Sequence, residues 1–240
     1  MKEHKFLDFE SITAIALSFI GGILDMYCLF NYNIYGMLHT GNFIKMVQYI
    51  IDGNIEMFLA SFFIILSFAI GIFLANLFEK KSKHNTPKNL LIITIVLLIC
   101  AMAIPNNHDA GKLSKMKFFG AIIFGFEGAF MLHSFVSFGS YSYSATTMTA
   151  NINRFVTSLY ERIVNKDKTK NYGVLTYLFI FIFFCLGVGI SYSYMKYIKV
   201  YTTGFLSLYE YNLVLILPLI CLVCILIATI KNNKKQAINN

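Results

Sequence analysis

Along this chain, apolar runs of about twenty residues alternate with short polar interruptions. Six such runs stand out: Ser11–Asn31, Met57–Phe78, Asn89–Pro105, Phe118–Phe138, Gly173–Met195 and Leu213–Ile230. A helix that crosses a bilayer needs about 20 mostly apolar residues, so each run predicts a spanning helix. Two further segments, Asn42–Asp52 and Asn151–Val164, are shorter and only moderately apolar. Runs of about 10–14 such residues tend to be re-entrant or interfacial. If both crossed, one Lys/Arg-rich loop would lie outside in either orientation.

The pattern repeats. Ala14, Ser18 and Gly22 place small residues at every fourth position of the first run, and Ala121, Gly125 and Ala129 do so in the fourth. Ser18 to Ala121 and Gly22 to Gly125 share an offset of 103 residues. Thr40-Gly41-Asn42 then matches Thr149-Ala150-Asn151, and Ala69-Ile70-Gly71 matches Gly187-Val188-Gly189. The features come in the same order in residues 11–105 and 118–230. Three spans per half is an odd number, so the halves insert in opposite senses, the inverted-repeat plan of many secondary transporters. Small-residue stripes also let helices pack closely in lipid. The expected fold is all-α: one membrane domain over residues 1–240, with six transmembrane helices in two inverted three-helix repeats. Each repeat carries a short re-entrant or broken helix.

Composition narrows the class. The 240 residues are 57% hydrophobic and 13% charged, where soluble domains are roughly 45–50% apolar and about 25% charged. That excludes a soluble enzyme, a disordered chain and a disulfide-built secreted domain. The net charge is +8, and the cations cluster in short runs at the ends of the apolar segments. With both termini inside, the inner segments hold 14 of the 20 Lys and Arg residues. This is the positive-inside bias, not a nucleic-acid surface. The expected location is a bacterial cytoplasmic (inner) membrane, N-in and C-in. Met1–Glu10 mixes Lys2 and Lys5 with acids, and no cleavage signal follows, so the first helix is expected to be retained. Tyr192, Tyr194, Tyr197 and Tyr201 supply an interface belt in a chain without Trp. All five cysteines fall in apolar runs, and Cys221-x-x-Cys224 lacks a second ligand pair. No metal site, disulfide or cofactor is expected.

The candidate chemistry lies in the few polar groups at membrane depth. An Asp at a helix centre costs about 2.5–3.5 kcal/mol on insertion scales, so such groups face protein or water. Asp25 sits just past the middle of the first run, near the Gly22 stripe. Glu127 sits at the centre of the fourth. Both read as carboxyls able to take up and release a proton or cation. His133 is turned about 120° from Glu127 on the same helix. Thr40, Gly41 and Asn42, and Thr149 and Asn151, read as the starts of the two short helices, with Asn as N-cap. A helix N-terminus presents free N–H groups to an anionic or carbonyl group of a substrate. His39 and Lys45 flank the first motif. The hydroxyl-rich stretch Ser140–Thr149 reads as cavity lining or an inner loop.

Gly22-Ile-Leu-Asp25 followed by Thr40-Gly41-Asn42 resembles the signature of the YoaK-like family of bacterial inner-membrane proteins of unknown function. Gly125-Phe-Glu-Gly128 followed by Thr149-Ala-Asn151 is similar to that family's looser second copy. The resemblance runs from about Ser11 to Ile230 and implies a fold more than an activity. The leading expectation is a secondary transporter of a small molecule or ion, proton-coupled and working by alternating access. Asp25 and Glu127 are assigned to coupling, and Thr40, Gly41, Asn42, Thr149 and Asn151 to substrate. The alternative is an accessory or scaffolding membrane protein without a transport path. No nucleophile set supports an enzyme. The expected partners are the bilayer, an unidentified small substrate and a possible second copy of the chain.

Overall fold

The computed structural model describes residues 8–81, 86–105, 115–145, 147–197 and 204–239. Lys2, Lys5, Lys83, Lys112, Lys199, Tyr201 and Thr146 lie outside them. The described chain is helical apart from one small hairpin. Its helices are α1 (Phe9–Tyr32), α2 (His39–Ile51), α3 (Ile55–Lys81), α4 (Thr86–Met102), α5 (Lys115–Ser134), α6 (Met148–Ile163), α7 (Asn171–Tyr197) and α8 (Ile216–Asn239). The strands β1 (Ser137–Phe138) and β2 (Tyr141–Ser142) form the hairpin.

Four helices, built on α1, α3, α7 and α8, are long and apolar enough to cross a membrane. Helix α4 and the apolar part of α5, Phe118–Ser134, are shorter; 17 residues of helix extend only about 26 Å. Outward-facing side chains are large and apolar, including Phe73, Ile182, Leu186, Ile220 and Ile227. A soluble protein would leave such a surface unstable in water; a bilayer solvates it.

Helix α1 is the axis of the molecule. Its most apolar window is 72% buried, against 28% for α3 and α7. Asp8 starts it by accepting a hydrogen bond from Ser11 N at 2.9 Å, a side-chain N-cap. Helix α7 runs parallel to it. Tyr172 OH meets Asp8 at one end (2.9 Å), and Asn31 meets Met195 Sδ at the other (3.7 Å). Helices α3 and α5 form a second parallel pair, from Phe63–Phe118 (ring centroids 5.0 Å apart) to Asn76–His133. Helix α5 is antiparallel to α1: Gly120 lies by Tyr32, Phe124 by Tyr27, and Phe135 by Phe9. The short helices α2 and α6 pack on α3 and α7 respectively. Exchanging α1 with α5, α2 with α6, α3 with α7 and α4 with α8 maps these pairings onto one another.

Several boundaries differ from the sequence reading. Helix α5 stops at Ser134 instead of continuing to Phe138. There Gly139, with φ 55°, turns the chain back so that Phe138 pairs with Tyr141. A glycine with positive φ opening a two-residue hairpin loop suits the twist of the strands. Gly139 N donates to the Glu10 carboxylate, tying the hairpin to the start of α1. Residues Gly204–Leu215 form a 3-10 segment before α8. Pro218, in the first turn of α8, has no N–H to donate to the carbonyl four residues earlier, so α-type bonding cannot extend back through it. Asn212 in this segment donates to the carbonyls of Met102 and Ile104 at 2.8 and 2.7 Å and accepts from Tyr27 OH. It thereby ties the end of α4 to α1.

Candidate functional site

Two loops dip into the interior beside the middle of α1. The first follows Asn33, whose φ of 55° ends α1 and reverses the chain. The chain returns along α1 until Asp25 Oδ1 accepts from Met37 N at 2.7 Å and Leu38 N at 3.1 Å. Asp25 lies eight residues, or about 12 Å of helix, before Asn33. Helix α2 starts there and climbs back. Lys45 Nζ donates to the Asn33 carbonyl at 2.6 Å, and Tyr49 OH does so at 2.8 Å. At the loop tip, a Cβ on Gly36 would lie 2.9 Å from Cys28 Sγ and 3.3 Å from the Leu24 carbonyl oxygen. Only glycine lets the backbone approach α1 so closely.

Asn42 closes this loop. Its Oδ1 accepts from Tyr35 N at 2.7 Å and its Nδ2 donates to Tyr35 O at 2.6 Å. Asn151 repeats the arrangement across the same seven-residue gap. Its Oδ1 accepts from Ser144 N at 3.0 Å and its Nδ2 donates to Ser144 O at 2.7 Å. At the tip of this second loop, the Ala145 carbonyl oxygen would lie 2.8 Å from a Cβ on Gly21. The two loop tips therefore press on α1 within about two turns of each other. Each short helix also carries a cation three residues after its asparagine. Lys45 is held on Asn33, and Arg154 Nη1 donates to Asn151 Oδ1 at 3.3 Å.

The asparagines are not N-caps. Helix α2 begins at His39 and α6 at Met148, so both asparagines lie within the first turn, and neither helix has a side-chain cap bond at Leu38 or Thr147. A loop bond reaching seven residues back takes both polar ends of each amide. Thr40 and Thr149 are exposed, and Gly41 packs under the Tyr35 ring. Replacing Asn42 or Asn151 with alanine orphans two backbone groups of a mostly buried loop. Each unmet group costs about 1–3 kcal/mol. The expected result is a clear fall in the unfolding midpoint for both variants, of similar size, measured by circular dichroism in detergent. A fall in only one would break the equivalence of the loops.

Glu127 stands on the face of α5 that meets α1. On that stripe, Phe124 lies 5.5 Å from the Tyr27 ring, and Met131 Cε would lie 3.8 Å from a Cβ on Gly21. Glu127 sits between these two contacts. It is fully buried, and neither carboxyl oxygen has a hydrogen-bond partner. Met37, whose N–H Asp25 holds, would lie 3.4 Å through its Cγ from a Cβ on Gly128, the residue after Glu127, so the two acids flank one contact. Gly128, 103 residues beyond Asp25, packs against the first loop, with a Cβ there 3.6 Å from the Gly36 carbonyl oxygen. The His39 ring lies tilted against Phe68, centroids 3.8 Å apart, and both of its ring nitrogens are buried without a partner. His133 turns instead to Asn76 on α3, at 3.4 Å.

The structure thus brings together Asp25, Glu127 and both loop tips around the centre of α1. Asp25 is engaged as an anchor, whereas Glu127 is unengaged. Among the described residues no three His, Cys, Asp or Glu side chains are grouped to hold a metal ion. The sequence reading did not single out Tyr35; Ser144 falls within the stretch Ser140–Thr149 that it did name, and both act through their backbones. The shared spacing from Asn42 to Lys45 and from Asn151 to Arg154 is the one sequence signal that could have exposed the equivalence of the two short helices in full.

A family model described as a protein of unknown function (DUF1275) matches residues 13–227, from the first turns of α1 well into α8. No curated protein and no solved structure matches the chain.

Proposed function

The chain thus belongs to the DUF1275 family of proteins of unknown function, and from its geometry we propose that it is a proton-coupled secondary carrier in a bacterial cytoplasmic membrane. In this reading it is a YoaK-like member with six spans, α1, α3, α4, α5, α7 and α8, forming one membrane domain with both termini inside. The halves are inverted repeats, which the antiparallel setting of α1 against α5 and the exchangeable helix pairings support. Helices α2 and α6 are re-entrant, one from each side, and their loop tips meet at the midplane, where transporters of this plan hold their cargo.

One observation carries the proposal: Glu127 is an enclosed carboxyl with no partner. A charged group left so is costly, and buried ionisable groups in membrane spans commonly mark ion or proton paths. A bound proton or cation removes that cost. Asp25 takes a different part in this scheme. It holds the first loop in place, so that movement of the loop and occupancy of Glu127 are linked.

Infrared difference spectroscopy of the protein in nanodiscs tests this without a known substrate. Between acid and alkaline pH, a protonated-carboxyl band should be lost as Glu127 gives up its proton. Glu127→Gln should remove that band and leave a protein at least as stable, because no hydrogen bond is lost and a buried charge is avoided. A packed accessory or scaffolding protein would show no pH-dependent band from Glu127 at all, and the carrier reading would fall.

A further inference from the structure

We infer that His39 carries protons between Glu127 and water outside the core. This rests on the carrier reading above and adds the route by which its buried acid is loaded and emptied. Glu127 is fully buried, so a proton reaches it only through other groups. Chains of acidic and histidine side chains serve this purpose in many membrane transporters. His39 has the position for it. It opens α2 directly after Met37 and Leu38, the two residues that Asp25 holds, and its N–H donates to the Met37 carbonyl at 3.1 Å. Its ring lies against Phe68, and Phe68 Cδ2 and Met37 Cγ would lie 3.7 and 3.4 Å from a Cβ on Gly128. One layer of side chains thus separates His39 from the turn of α5 that bears Glu127.

Access and chemistry agree with position. His39 is half-buried and Thr40 beside it is exposed, whereas Glu127 is enclosed. Neither ring nitrogen of His39 is tied to another group. An imidazole can therefore accept a proton on one nitrogen and release one from the other. The other titratable groups around the site do not serve. From α1, Asp25 is bonded to Met37 and Leu38, and Tyr27 to Asn212. Tyr32 OH is also buried without a partner, but it lies at Gly120, seven residues before Glu127, or about 10 Å along the helix. Cys28 of α1, Tyr35 of the first loop and Tyr143 of the second are, like Tyr32, a thiol or phenols, which ordinarily release protons only above neutral pH. His133, on α5 itself, turns to Asn76. Lys45 is held on Asn33 and Arg154 on Asn151. The ionic residues of α3 and α4, Glu56, Glu79, Lys80, Lys81 and Lys88, lie at the ends of those helices.

The step balances. The Glu127 O–H bond breaks and an N–H bond forms on the imidazole, leaving a carboxylate and an imidazolium. The imidazolium then gives the proton on its other nitrogen to water. One proton has left, and loading runs the same steps in reverse. His39 and Glu127 are not hydrogen-bonded to each other, so the transfer waits on movement of the first loop, on which His39 rides. The anchor at Asp25 thereby sets when Glu127 exchanges its proton.

Time-resolved infrared spectroscopy of the full chain in nanodiscs tests this, with a light flash releasing protons from a caged acid. In the wild type the protonated-carboxyl band of Glu127 should grow after the flash. His39→Gln keeps a hydrogen-bonding group that cannot carry a proton, and His39→Phe keeps a ring against Phe68. Both should slow growth of the band by about a hundredfold or more and leave its final size unchanged. If either variant loads Glu127 at the wild-type rate, the inference is overturned and the carrier reading stands. A variant whose band is lost at equilibrium, in place of slowed, shows a purely structural role for His39 and also overturns it. If His39→Phe does not fold, His39→Gln decides alone. If no band from Glu127 changes in the wild type, the carrier reading itself fails.

Discussion

Asp25→Ala is expected to lower stability by about 3–5 kcal/mol, because the buried Met37 N–H and the half-buried Leu38 N–H lose their side-chain acceptor. Hydrogen bonds to a charged group contribute about 1.5–3 kcal/mol each, and the donors left behind are not rehydrated. Asp25→Asn keeps an acceptor oxygen in the same place and should cost much less, on the order of 1 kcal/mol. Chemical denaturation followed by circular dichroism separates the two. A second readout isolates the loop from the whole protein. A cysteine at Leu38, in a chain without other cysteines, should react slowly with a small thiol reagent when Asp25 is present and faster in the Asp25→Ala background. Asp25→Asn should leave the pH-dependent band of Glu127 unchanged. If it removes that band without lowering stability, Asp25 belongs to coupling, as the sequence alone suggested, and the anchoring role is secondary.

The two acids show where sequence reading reaches and where it stops. Asp25 and Glu127 were both legible as expensive charges in apolar runs, since that judgement needs only composition and position. Their different settings were not, because these depend on which carboxyl meets two N–H groups twelve and thirteen residues further along. The repeat proposed for the two halves rests in the sequence on Gly22 and Gly125 keeping one offset, and close packing forces small residues into a period of four. The asparagines misled for a physical reason. An Asn ahead of an apolar run looks like an N-cap, yet Asn42 and Asn151 lie in the first turn of their helices and bond backwards to Tyr35 and Ser144. A partner seven residues away through an irregular loop leaves no periodic trace. The end of α5 was hidden differently. Phe135, Val136 and Phe138 continue the apolar run in composition, and only Gly139 marks the turn that makes them a hairpin.

The crossing of α1 and α7 is where a single methyl group should have the largest effect. A Cβ on Gly22 would overlap the Phe184 carbonyl oxygen and sit 3.1 Å from Val188 N. A Cβ on Gly187 would overlap the Phe19 carbonyl oxygen and sit 3.1 Å from Ile23 N. Each glycine thus rests on the other helix's backbone, which cannot rotate aside as a side chain would. Gly22→Ala or Gly187→Ala gains up to about 1 kcal/mol in helix propensity. Against that stands separation of two helices in contact along their length, with overpacking costs of about 1–3 kcal/mol and sometimes more. It also strains the bond from Ser191 Oγ to Ile23 O at 3.2 Å, which crosses the same interface. The net expectation is a loss of about 2 kcal/mol for either single variant. The double variant should cost less than the sum, because the first methyl already opens the crossing. Gly189→Ala is the control: nothing lies within 4 Å of a Cβ there, so only the propensity gain remains and the midpoint should hold or rise. In the other half, Gly125 packs on Ser67 Oγ and the Ile64 carbonyl oxygen. Gly125→Ala should therefore be costly too, and Ser67→Ala should relieve it only in part, since the Ile64 backbone stays in place. Equal, tight crossings in both halves would let α1 with α7 and α3 with α5 move as two rigid bodies around Glu127. If Gly22→Ala proves neutral, the α1–α7 pair is looser than its glycines require, and that rigid-body picture fails.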